Sequence, residues 1–77
     1  MTTIDAYNII RKTTEQVEHC YALAQTVESA STLRTLFDQA FGMISLASVL
    51  IPTDLFDELA DLWDEYKPKF ETLIYGE

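Results

Sequence analysis

At 77 residues with one cysteine, the chain is too short for more than one small domain, spanning 1–77, and cannot close an internal disulfide. A chain of this size buries only about 60% of its unfolded surface, so its stability must come from close helix packing or from association. The net charge of −8 repels nucleic acid and anionic membranes; no direct nucleic-acid or membrane role is expected, and a basic protein partner is allowed. The hydrophobic fraction of 48% argues against disorder. Cys20 suits a reducing compartment, Met1–Asp5 lacks the features of a signal peptide, and no apolar run reaches the roughly 20 residues of a membrane span. A cytoplasmic location is expected.

The first helix is expected from about Thr3 to Val27, with Thr3 as a cap and Asp5 in the first turn, where the helix dipole favours an anion. At 100° per residue, Ala6, Ile9, Ile10, Thr13, Val17, Cys20, Tyr21, Ala24 and Val27 share one broad arc. Asn8, Arg11, Lys12, Glu15, Glu18, His19 and Thr26 lie opposite. This is an amphipathic, core-facing pattern. Tyr7 and Tyr21 fall near the edge of the arc, where they would rim an interface or cover the margin of a core.

Glu28–Ser31 forms the first connection, and either serine can cap the next helix. That helix is expected from Thr32 to Leu50. Leu33, Leu36, Phe37, Ala40, Phe41, Ile44, Ala47 and Ile51 share its buried face. No charge occurs from Gln39 to Thr53. Within that stretch Met43, Leu46 and Val49 reach towards the side that should be wet, next to Gly42 and Ser45. A glycine inside a helix costs roughly 1 kcal/mol relative to alanine and often marks the approach of another backbone. Gly42, Ser45, Leu46 and Val49 are therefore the candidate surface for self-association, most simply into a homodimer.

Pro52-Thr53 makes the second turn, and Thr53 or Asp54 is expected to cap a third helix running to Tyr75. Its apolar arc holds Leu55, Phe56, Leu59, Ala60, Leu62, Trp63 and Tyr66, continued by Phe70, Leu73 and Ile74. Pro68 has no N–H and clashes with the carbonyl four residues back, so a kink or break is expected there. Gly76 is placed to end the helix. Short connections make consecutive helices antiparallel. The fold class is all-α, a three-helix up-down-up bundle.

Chemistry-bearing groups are sparse. Glu15 and His19 share a helix face, but the Glu-x-x-His spacing of bundle metal sites is not met, because Gln16 stands where a glutamate is needed. Cys20 would require a basic neighbour to become a nucleophile, and a helix turns His19 about 100° away from it. His19 is the only histidine and nothing places a serine near it, so no Ser-His-Asp set is expected. Trp63, Tyr66 and Phe70 recur at core spacing. No catalytic residue, cofactor or metal is expected, and the chain reads as non-enzymatic.

The most distinctive polar feature is acidic. Asp54, Asp57, Glu58, Asp61, Asp64 and Glu65 lie within an arc of about 120° on the third helix, and no base intervenes before Lys67. Such a set can be a solvated face or a docking face. Carboxylates one turn apart repeat every ~5.4 Å, comparable with phosphates along a nucleic-acid strand. The expected function is an acidic protein-binding module: an inhibitor, of the phage or mobile-element type, that mimics phosphate and antagonises a basic nucleic-acid-handling protein. The alternative is a structural or adaptor subunit that assembles through the second helix.

Overall fold

The computed structural model describes residues 3–76, with side chains from Ile4 onward. Three helices follow one another: α1 Thr3–Ala24, α2 Ala30–Leu50 and α3 Phe56–Tyr75, the last preceded by a single 3-10 turn, Thr53–Leu55. All three pack on one another in a rod of 41 × 17 × 15 Å, an all-α three-helix bundle.

The contacts fix the directions. Tyr21, late in α1, meets Tyr66 and Phe70, late in α3, so those helices run parallel. Arg34 Nη1, early in α2, donates to Tyr75 Oη at the end of α3 at 3.3 Å, so α2 runs the other way. No helix among the described residues is long and apolar enough to cross a membrane.

Helix ends follow local hydrogen bonding. α1 stops at Ala24, three residues before the Val27 expected from periodicity. There the Thr26 N–H and Oγ1 both donate to the Leu23 carbonyl, at 3.0 and 2.8 Å. A threonine that bonds the backbone locally competes with further helix. The expectation that Thr3 caps α1 concerns a side chain outside those described. Ser29 caps α2, its Oγ accepting from the Thr32 N–H at 3.4 Å, and the helix therefore begins at Ala30.

Neither Thr53 nor Asp54 caps α3 through its side chain. The 3-10 turn takes their place: the Leu55 N–H donates to the Pro52 carbonyl at 3.0 Å. Gly76 ends α3 at φ +74°, its N–H donating to the Thr72 carbonyl. This left-handed conformation is one glycine adopts without steric penalty.

Pro68 sits inside α3, which is continuous from Phe56 to Tyr75 rather than broken. The proline removes the donor for the Asp64 carbonyl. Both residues are exposed, so water can take the donor's place.

The core is built from Ala6, Val17, Cys20 and Ala24 of α1, Ala40, Ile44 and Ala47 of α2, Ile51, and Leu59, Leu62, Tyr66 and Phe70 of α3. The small residues come mainly from α1 and α2, the large ones from α3. Thr13, the one buried polar residue among the described residues, donates its hydroxyl to the Ile9 carbonyl at 2.8 Å. A connected set of aromatic rings crosses the bundle. Phe37 stacks on Trp63 (5.5 Å) and on Phe70 (5.6 Å), Phe41 tilts against Trp63 (4.9 Å), and Tyr21 meets Phe70 and Tyr66 edge-on.

Three apolar-arc assignments are corrected. Phe41, Phe56 and Ala60 are exposed, because they line an open groove between α2 and α3. Met43 is the converse case, half-buried against the core.

Candidate functional site

The six carboxylates of the acidic set, Asp54, Asp57, Glu58, Asp61, Asp64 and Glu65, are all exposed. Asp54 stands in the 3-10 turn and the other five on α3. α3 positions them because its opposite side is pinned in the core by Leu59, Leu62, Tyr66 and Phe70. Lys69 is a cation within this flank: its Nζ lies 3.8 Å from Glu65 Oε1, over the Tyr66 ring at 4.8 Å and near the Tyr21 ring at 5.8 Å.

α1 adds to the flank a residue that periodicity alone could not assign. Glu18 lies close enough to Tyr66 to act on its phenol. The Tyr66 hydroxyl is pushed above its ordinary pKa, first by burial and then by the negative charges of Glu18 and Glu65, with Tyr21 also contributing. Glu18 and Glu65 thus belong to one acidic surface across the α1–α3 seam. Phe56, Ala60 and Trp63, on another side of α3, line the groove shared with α2. Tyr66 is buried and offers a partner no free ring.

The second candidate surface lies on α2. Gly42, Ser45, Leu46 and Val49 are exposed together, Leu46 at 63% and Val49 at 80%. A Cβ at Gly42 would have nothing within 4 Å, so no backbone of this chain makes the close approach expected there. Grooves flank this ridge on both sides. One, of about 470 Å³ between α1 and α2, is lined by Cys20, Leu23, Leu36, Gly42, Met43 and Leu46 among others. The other, of about 270 Å³ between α2 and α3, includes Phe41, Ser45, Ser48 and Phe56.

The remaining groups fall apart spatially or into the core. Glu15 and His19 are exposed, and no cluster of three or more His, Cys, Asp or Glu able to hold a metal ion occurs among the described residues. Cys20 is buried, and burial raises its thiol pKa, which disfavours the thiolate. Trp63, Tyr66 and Phe70 pack against aromatic neighbours in the bundle. Tyr7 is exposed, whereas Tyr21 covers the core margin between α1 and α3.

By its fold the chain is an all-α three-helix bundle with one acidic flank and one uncharged apolar face. No protein-family model matches it, and comparisons with curated proteins and with solved structures find no similar protein.

Proposed function

We propose that this protein is a non-enzymatic binding module whose acidic flank docks on a basic protein that handles nucleic acid, competing with the nucleic acid for that surface. The observation that supports this reading is the arrangement of charge. Six carboxylates are exposed along the 3-10 turn and α3, Glu18 extends the flank from α1, and Lys69 is already paired with Glu65. Like charges one helical turn apart cost a few tenths of a kcal/mol per pair. Interspersed lysines would remove that cost and keep the chain soluble, as Arg11 and Lys12 do beside Glu15 on α1. A field of one sign instead speeds the encounter with a basic surface.

Charge reversal tests the reading. The combined variant Asp57→Lys, Asp61→Lys, Asp64→Lys changes only exposed positions and should keep the helical circular-dichroism signal. Wild-type protein should retain a basic nucleic-acid-binding protein from host extract at low salt and release it at high salt, and the triple variant should retain none. Equal retention by both, insensitive to salt, would reject the acidic flank as the docking surface.

The exposure of Leu46 and Val49 favours a second reading, a structural or adaptor subunit that works through α2. In that case the triple variant would keep full activity and substitutions at Leu46 or Val49 would abolish it.

A further inference from the structure

We infer that the exposed face of α2 is the seat of a second copy of this chain, bound antiparallel about a two-fold axis that crosses α2 between Ser45 and Leu46. The inference stands on α2 alone and is independent of the role proposed for the acidic flank.

The pattern of side chains along the face is self-complementary. Gly42, Ser45, Leu46 and Val49 fall within about 100° of the helix wheel. Under the proposed axis Ser45 faces Leu46 of the second copy, and Gly42 faces Val49 of the second copy. Each contact pairs a small residue with a large one. Isologous contacts require such a patch, in which each residue meets a complement drawn from the same surface. A parallel pairing would set Gly42 against Gly42 and Val49 against Val49, leaving a gap at one end and a clash at the other. The open space around Gly42 means that its helical cost has no compensation inside one chain; the antiparallel pair supplies it, because Val49 of the second copy needs that space.

Charge selects the same occupant. Two chains each carrying −8 must meet where carboxylates are absent, and residues 39–53 carry no charge. The acidic set stands on the 3-10 turn and α3, not on α2. Along the chain the uncharged stretch is bounded by Asp38 and Asp54, and the grooves beside Leu46 are lined from α1 by Lys12 and His19, so α2 itself brings carboxylates only to the ends of the contact. A basic partner would find no anion at the centre.

Leu46 and Val49, 63% and 80% exposed, are the large side chains at the centre of this face, with Leu50 at its edge.

Analytical ultracentrifugation at low and high salt tests the inference. The expected result is a species of twice the 8.8 kDa chain mass at micromolar concentration, tightening as salt screens the repulsion between the ends. Leu46→Asp and Val49→Asp should each weaken the dimer about 30-fold or more. Both positions are exposed, so the helical signal should persist. Gly42→Gln, placed in open space, should also fold and remain monomeric. An oxidised mixture of Gly42→Cys and Val49→Cys chains should give the mixed disulfide, with little dimer from either alone; Cys20 is buried and can stay. The triple charge reversal on α3 should leave the dimer intact. A wild-type chain that stays monomeric at both salts overturns the inference, as does a dimer that survives Leu46→Asp and Val49→Asp. Disulfide formation by Gly42→Cys alone, without the mixed product, would replace the antiparallel register with a parallel one and equally refute the proposal.

Discussion

Phe70 is the residue on which the aromatic packing of the bundle converges, and truncating it should nearly unfold the protein. Its side chain is 0% exposed, stacks on Phe37 from α2 at 5.6 Å and meets Tyr21 from α1 edge-on at 5.4 Å. Deleting a fully buried phenylalanine ring costs about 3–5 kcal/mol through lost transfer energy and the cavity left behind. The two ring contacts contribute within that figure at about 0.5–1.5 kcal/mol each. A domain of this length has a total stability of about 4–12 kcal/mol. Phe70→Ala therefore removes between about a quarter and all of it. Phe70→Leu keeps most of the apolar burial and loses the ring contacts, so a loss of about 1–2 kcal/mol is expected. Urea unfolding followed by helical circular dichroism measures both, with the exposed Asp61→Ala as a control that should stay within about 0.5 kcal/mol of wild type. A loss below about 1 kcal/mol for Phe70→Ala would refute the assignment of Phe70 as the packing centre.

Three further outcomes follow from the same packing. Pro68→Ala should preserve the fold and raise stability by about 1–3 kcal/mol, since α3 already runs through this exposed position and alanine restores the N–H for the Asp64 carbonyl; a marked loss in urea unfolding would show that the proline fixes a required geometry. Cys20 should resist thiol reagents in the native state and react on denaturation, which a timed labelling reaction read by mass measures; fast native labelling would contradict its burial. Stability should fall in alkali through Tyr66. Its folded pKa lies above the unfolded value of about 10, so the protonated phenol's contribution is complete below that pH and is lost as pH rises through the folded value. Tyr66→Phe should flatten this part of the pH profile, and an unchanged profile would remove Tyr66 as its source.

Helical periodicity made the three helices and most of their buried arcs legible, because a face that must leave water is written as apolar residues three and four apart. It did not reveal which arcs meet. The stacking of Phe37 on Trp63 and Phe70, and the approach of Glu18 to Tyr66, depend on how three cylinders are rotated against one another. The misassigned Phe41 and Phe56 have the same origin: both lie on the apolar side of their helices, yet the groove between α2 and α3 leaves them in solvent. Helix ends were legible where the terminal residue carries its own reason, as at Ser29 and Gly76. They were missed where a competing bond decides, as at Thr26, or where a 3-10 turn precedes the helix, as at Thr53–Leu55. The acidic set was readable as a set, because five of its members stand on consecutive turns of one helix and Asp54 just precedes it. The approach of Glu18 from α1 to the phenol beside it was not, since that is a property of the α1–α3 seam.

Competition measures the docking reading most directly. The basic protein retained by the wild-type chain is bound to labelled duplex DNA and titrated with the chain while the DNA's anisotropy is followed. The account predicts that the wild-type chain displaces the DNA, that Leu46→Asp does so equally well per folded chain, and that the Asp57→Lys, Asp61→Lys, Asp64→Lys variant does not. Displacement by the charge-reversed variant at wild-type concentrations, or a ternary complex in which DNA and chain are bound together, would contradict it.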